Sequence, residues 1–244
     1  KMPKIWVLRG LKKGVLTTRY PRTPPTSEEI PQSSQPPMAT QHADWPGGEK
    51  GCPTSAINSQ ERKIDLGMCV YCRHCSSAGF SFEDGNNDKT RALQASVVLQ
   101  NVRSARQIFG RSLQALMIDV GSCNACNLEV LNLSNPYYDL TRLGISLTNS
   151  PKHADALLVV GALNPAMVDV LKRTYESMPE PKLVISVGAC AISGGIFRGT
   201  EGFVSSVREV IPVDVTVPGC PPSPVQILEG LLLAAGRLRK EVPP

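Results

Sequence analysis

The strongest constraint on this chain is the placement of its eight cysteines: Cys52, Cys69, Cys72, Cys75, Cys123, Cys126, Cys190 and Cys220. Three pairs are separated by two residues: Cys69/Cys72, Cys72/Cys75 and Cys123/Cys126. On a tight turn that spacing brings two sulfurs to one centre, and sets of four soft thiolates suit zinc or an iron–sulfur cluster. A disulfide-stapled secreted fold is the competing use of so many cysteines. The spacing is wrong for it, and no apolar leader segment with a small-residue cleavage site follows the basic start.

The first set is Cys52-Pro53 followed by Cys69-Val-Tyr-Cys72-Arg-His-Cys75. In a two-cluster bacterial ferredoxin, a run of three cysteines is completed by a distant cysteine followed by proline. Cys52, Cys69, Cys72 and Cys75 therefore make one 4Fe–4S ligand set. The partner set of such a ferredoxin would fall at His42, Trp45, Gly48 and Gly79, so all four of its ligands have gone together. His42 is read as a lone surface histidine. A four-cysteine zinc site is the alternative for the retained set, although zinc favours two separated knuckles.

The second set is Gly121-Ser-Cys123-Asn-Ala-Cys126-Asn-Leu-Glu129, Gly188-Ala-Cys190-Ala191 and Pro218-Gly-Cys220-Pro-Pro222. These cysteines become neighbours only if three loops meet at one edge of a sheet. Apolar runs at 115–120, 156–160, 183–187 and 213–217 read as strands, three of them running directly into a cysteine loop. Residues 165–178 have helical spacing with Pro165 in the first turn, and 224–238 read as a last helix. Alternation of this kind predicts a doubly wound, flavodoxin-like parallel α/β sheet, whose ligand crevice lies beyond the strand carboxyl ends. A second 4Fe–4S site at Cys123, Cys126, Cys190 and Cys220 is expected there.

The remaining chain sets the domain plan. Residues 1–50 combine a basic amphipathic stretch with a Pro-rich arm. Eight of the 21 prolines lie in 21–53. Residues 51–89 read as a reduced, single-cluster ferredoxin-like α+β module, 90–110 as a linker helix and 111–244 as the iron–sulfur domain. The net charge of +5 is concentrated in residues 1–80, which carry 11 Lys and Arg against 6 Asp and Glu. No aromatic–basic interleaving accompanies it, so nucleic acid is not the expected partner. An acidic protein face or anionic lipid fits as well as a solvated basic face. The longest uncharged run is 15 residues, Leu183–Phe197, shorter than a membrane span.

These motifs, with Ser150-Pro-Lys-His-Ala-Asp155, Met178-Pro-Glu-Pro-Lys182 and Gly194-Gly-Ile-Phe197, resemble the small subunit of energy-converting, membrane-bound NiFe hydrogenases of the formate-hydrogenlyase group. Their kin is the complex I subunit that carries the quinone-proximal cluster. Complex I subunits resembling this chain carry two adjacent cysteines at the first position, whereas Cys123-x-x-Cys126 is similar to the hydrogenase branch. The first 80 residues resemble a polyferredoxin subunit of the same complexes, in Gly10-Leu-Lys-Lys-Gly-Val-Leu-Thr-Thr-Arg-Tyr-Pro21, Cys52-Pro-Thr-Ser-Ala-Ile57 and the Cys69–Cys75 run.

The resemblance implies an oxidoreductase subunit that relays single electrons through two 4Fe–4S clusters. Nickel chemistry would belong to a NiFe hydrogenase large subunit or its complex I homologue. Membrane-embedded antiporter-like subunits, and a ferredoxin or dehydrogenase donor, would complete the assembly. The location implied is peripheral, at the cytoplasmic face of the cell membrane. Glu129 is implied as a proton-path carboxylate at the partner interface, set against the plain reading of an acid favoured by a helix N-terminus. Arg73 and His74 would raise the outer cluster's potential, or simply be exposed. Lys152 and Arg142 are weaker candidates of the same kind. His153 and Asp155 are expected to cap the strand beginning at Ala156. Two alternatives stay open: a complex I-like subunit passing electrons to quinone, and a non-catalytic iron–sulfur scaffold or redox sensor.

Overall fold

The computed structural model describes residues 11–13, 38–39, 51–58, 63–75, 82–83, 109 and 112–237. Most of the amphipathic stretch at 4–20, the Pro-rich arm with His42, Gly79, and the expected linker helix apart from Phe109 lie outside the described residues. Backbone contacts divide the chain into 1–31 and 32–244. Within the first unit, residues 11–13 are helical.

The second unit opens with short antiparallel pairings. Strand β1 (Met38–Ala39) pairs with β4 (Phe82–Glu83), and β2 (Ile57–Asn58) pairs with β3 (Lys63–Ile64). The β2–β3 pair separates Cys52 from the Cys69 run and, with the Asp65 N–H donating to the Ala56 carbonyl at 2.8 Å, holds the two cysteine loops side by side.

The parallel sheet contains β5 (Leu113–Asp119), β6 (Ile145–Thr148), β7 (Ala156–Val160), β8 (Leu183–Val187) and β9 (Val215–Val217), in the order β6-β5-β7-β8-β9. All four pairings are parallel. Counted from β5, this is the 2-1-3-4-5 order of flavodoxin-like folds, with the strand order reversing between β5 and β7. Strands β7 and β8 are buried along their whole length, which explains their unbroken apolar runs. Edge strand β6 has no counterpart in the sequence pattern: Ile145 and Leu147 are its only large apolar residues, and Leu147 is half-buried.

The helices are α1 (Ala125–Asn132), α2 (Pro165–Ser177), α3 (Ala189–Ser193) and α4 (Pro224–Ala234). Asn164 starts α2, accepting the Met167 N–H at 3.1 Å, while its Nδ2 donates to the Val120 carbonyl beyond β5 at 3.0 Å. Leu171 of α2 is fully buried in a cluster with Leu157, Val159, Val184 and Met178. Burying such a leucine stabilises the fold by about 1.5–3 kcal/mol. Ser223 and Gln226 form a reciprocal capping box at the start of α4. That helix ends at Ala234 rather than running to residue 238, because Gly236 turns left-handed at φ 68°. Arg237 then ties the helix end to the sheet edge, donating to the Leu143 carbonyl at 2.7 Å and to the Phe109 carbonyl at 3.2 Å.

The strand bounds differ slightly from those expected. The first begins at Leu113 and ends at Asp119, and the last is confined to Val215–Val217. No described helix is long and apolar enough to cross a membrane.

Candidate thiolate centres

Cys123 and Cys220 lie in the loops after β5 and β9 and Cys190 in the short helix α3 that follows β8, all beyond strand carboxyl ends, and the β5 loop leads into α1 with Cys126. At the end of β5, Asp119 organises the loop. Its carboxylate accepts from the Gly121 N–H at 2.9 Å, the Ser122 N–H and hydroxyl both at 2.7 Å, and Asn127 Nδ2 at 2.6 Å. Burial works against the Asp119 charge, but these donors outweigh it and hold the carboxyl below its usual range. Sequence reasoning misses Asp119. An acid ending an apolar run just before Gly-Ser is the available signal.

The four cysteines of the second set lie close enough for their charges to act on one another. Cys126 is buried, Cys190 and Cys220 are half-buried and Cys123 is exposed. Burial pushes the Cys126 thiol up to about 12, with the Cys190, Cys220, Cys123 and Glu129 charges adding to it. Burial likewise pushes Cys190 to about 11, followed by the Cys220 and Cys123 charges. Gly188 shows how close the loops approach. Its φ is +89°, and a Cβ there would lie 2.7 Å from the Cys126 sulfur. Only a residue without a side chain leaves that space to the thiolates.

The first set also converges. Cys52, Cys69, Cys72 and Cys75 line one cavity together with Tyr71 and Ile57. The Cys52 sulfur accepts the Ala56 N–H at 3.3 Å. Burial opposes its ionisation, but the Thr54, Ala56 and Ile57 amides and the Thr54 hydroxyl outweigh that and lower the thiol pKa. Burial raises Cys69 to about 11, partly offset by the Tyr71 N–H and reinforced by Cys52, Cys75 and Cys72. Backbone N–H groups aimed at sulfur are the donors a charged cluster requires.

All eight cysteines are free thiols. Among the described residues, no three His, Cys, Asp or Glu side chains close tightly enough on a single metal ion. Four cysteines with amides aimed at sulfur at the first set, and four cysteines with a glycine approach at the second, are donor sets whose chemistry fits a 4Fe–4S cluster.

The two sets are neighbours. Cys220 is raised by burial first, then by charge on Cys123 of its own set and on Cys72 of the other. Ser193 Oγ, in the helix that carries Cys190, lies 3.0 Å from both the Gly67 and Ala189 carbonyl oxygens, so one proton serves two acceptors. Arg198 Nη1 lies 3.4 Å from Met68 Sδ.

Other predicted residues fall as follows. Glu129 is half-buried in the second turn of α1, so the N-terminal acid reading fails on position. Its charge acts on Cys126 and on Tyr138, whose phenol is raised first by burial. Asn132 Nδ2 approaches Glu129 Oε2 at 3.5 Å. Asp155 precedes the strand from Ala156, but its carboxylate accepts from the Gln114 N–H of the neighbouring strand β5 rather than capping its own strand, and His153 is exposed in a short 3₁₀ turn. Arg73, His74 and Lys152 are exposed, and Arg142 pairs with Asp139 at 3.1 Å.

A flavodoxin-like parallel sheet with thiols gathered at the strand ends defines an α/β oxidoreductase component. The chain belongs to the family described as NADH ubiquinone oxidoreductase, 20 Kd subunit, which it matches over residues 123–234. It is 39% identical over 163 residues to a probable membrane-bound hydrogenase subunit mbhJ of Pyrococcus furiosus, covering 65% of this chain and 95% of that one. Formate hydrogenlyase subunit 7 of Escherichia coli is 41% identical over 132 residues, 54% of this chain and 52% of that one. An NADH-quinone oxidoreductase subunit of Geotalea daltonii is 43% identical over 116 residues, 48% of this chain and 68% of that one. The family match begins at Cys123, so the ferredoxin-like reading of 51–89 rests on its own cysteine set.

Proposed function

We propose that this chain is the electron-transfer subunit of a membrane-associated NiFe hydrogenase complex. Cys52, Cys69, Cys72 and Cys75 would hold one 4Fe–4S cluster, and Cys123, Cys126, Cys190 and Cys220 a second. Each cluster, when bound, supplies reversible one-electron chemistry. The observation that carries the reading is the sorting of eight free thiols into two sets of four, adjacent through Cys72 and Cys220.

This chain's residues hold, insulate and space the two sets. Burial of Cys126 excludes water, and the amides at Cys52 and Cys69 compensate charge on sulfur. The nickel site is assigned to a partner large subunit, because no further paired cysteines remain here. Residues 51–89 would be the outer relay, and 111–244 the relay facing the partner. Antiporter-like membrane subunits and a ferredoxin or dehydrogenase donor complete the proposal, with the chain peripheral on the cytoplasmic face. Likeness to the membrane-bound hydrogenase subunit over 95% of its length supports this branch.

The complex I-like reading, with electrons passed to quinone, is favoured by the 43% identity to the Geotalea daltonii NADH-quinone oxidoreductase component. Iron, sulfide and nickel analysis of the purified complex separates the two. The hydrogenase reading expects about eight irons per chain and one nickel in the partner. Iron without nickel selects the complex I-like reading, and zinc in place of iron at the first set removes the outer relay.

Glu129 is proposed to carry protons between the second thiolate set and the partner. Glu129→Gln should lower turnover by about a hundredfold or more, the lower end of general acid–base effects being about 10², while cluster EPR is unchanged. Unchanged turnover overturns that role.

A further inference from the structure

The turn that delivers Cys69 is braced from within. Asp65 takes the Gly67 N–H on its carboxylate at 2.8 Å, and its carbonyl accepts the Met68 and Cys69 N–H groups at 3.1 and 3.0 Å. A push on Gly67 is therefore passed to Cys69, two residues on. Gly67 does not hold a positive φ, so backbone conformation does not call for glycine there. Space does. A Cβ at 67 would lie 3.1 Å from Ile192 Cγ2 in α3 and 3.1 Å from Asp65 Oδ1, closer than carbon packs at its optimum.

The turn meets α3 again at Ser193, three residues after Cys190. The Ala189 carbonyl, 3.0 Å away, would satisfy the Ser193 hydroxyl within the helix, as is usual for a helical serine. The hydroxyl is equally close to the Gly67 carbonyl, at 3.0 Å. Its oxygen accepts the Gly195 N–H at 3.5 Å, and a Cβ on Gly195 would stand 2.9 Å from the Cys190 sulfur. Arg198 Nη1, 3.4 Å from Met68 Sδ, adds a further contact.

We infer that Ser193 and Gly67 form the seam that sets the separation of the two thiolate sets, with Ser193 a positioning residue for electron transfer between them. This rests on the cluster reading proposed above. The step served moves one electron from a reduced cluster to an oxidised one, with no bond made or broken. Ser193 acts only through the backbone of the two segments it joins.

The test uses the assembled complex as wild type, Ser193→Ala, Ser193→Thr and Gly67→Ala. Iron and sulfide analysis and a redox titration come before two readouts of separation. One is the EPR splitting produced by magnetic interaction between the two reduced centres. The other is the rate of electron equilibration between the sets after flash reduction. Ser193→Ala should keep its iron and both midpoint potentials but show weaker splitting. Its equilibration should slow about two- to tenfold, the weight one hydrogen bond carries in holding a docked arrangement. Ser193→Thr should match wild type. Gly67→Ala should reproduce the loss with the hydroxyl intact, and adding Ile192→Ala should restore it by removing the crowded atom. Unchanged splitting and rate in fully loaded Ser193→Ala and Gly67→Ala overturn the seam while leaving the clusters in place. A loss in Ser193→Thr as large as in Ser193→Ala overturns the part given to the hydroxyl. Wild-type complex without iron at either set overturns the cluster reading itself. Should Ser193→Ala fail to load both sets, Gly67→Ala and its relief by Ile192→Ala decide alone, and no change in either readout overturns the seam.

Discussion

A methyl group on Gly188 would sit 2.7 Å from the Cys126 sulfur, so the loop after β8 and the first turn of α1 meet with no spare room. Gly188→Ala imposes two penalties, since position 188 also holds φ at +89°. We expect a loss of about 1–3 kcal/mol from strain and overpacking. Iron at the second set should fall selectively while the first set stays loaded. Iron analysis with EPR, alongside thermal unfolding, checks this.

Single-ligand substitutions should separate the sets. Cys220→Ser should lower iron from about eight to about four per chain, and Cys69→Ser should do the same while sparing the other signal. Loss of all iron from either variant would show that the two sets are not independent sites.

Loading should depend on pH. In the metal-free chain, burial raises Cys126 to about 12 and Cys69 and Cys190 to about 11, so these thiols are protonated near neutrality. Binding as thiolates must release protons, and cluster reconstitution should therefore improve from about pH 6 to about pH 8.5. The same shifts affect stability with a definite sign. Raised folded values favour the folded state below the ordinary thiol value of about 8.5. That advantage disappears as pH climbs from there through the folded values of about 11 to 12. Urea titrations of the metal-free chain should show midpoints falling across this alkaline window.

Asp119 works in the opposite direction. Its four hydrogen bonds depress its pKa. Its contribution is present above the ordinary carboxyl value of about 3.9 and fades as pH drops through the lower folded value. Asp119→Ala should cost about 1 kcal/mol after discounting for solvent screening, because the residue is exposed. It should also make the Cys123 loop more susceptible to proteolysis. Unchanged stability at neutral pH would count against the network.

Much of this arrangement is legible in the sequence because burial writes itself into composition. Ala156–Val160 and Leu183–Val187 are recognisable as strands because both faces of those strands are covered, so every position is buried and almost all are apolar. The three cysteine pairs at two-residue spacing are legible because that spacing is local geometry. Edge strand β6 escapes notice because a four-residue strand with one covered face carries too few apolar positions to show a period. Asp119 is hidden for another reason. Its role depends on what stands opposite it in space, and a carboxylate serving a loop has no period at all. Asp155 is legible only by position, one residue before a strand, and its partner is the neighbouring strand β5. Its carboxylate accepts the Gln114 N–H at 2.8 Å while its own N–H donates to the Gln114 carbonyl at 2.8 Å.

The Ser193 contact with Gly67 lies on the same five-residue helix as Cys190. A relay assembled from two separate polypeptides must rebuild the gap between its stations at every encounter, at the mercy of dilution. In the proposed relay that gap would be spanned by one continuous backbone and fastened by a hydroxyl one turn from a thiol. The hopping distance would then travel with the molecule and be indifferent to protein concentration.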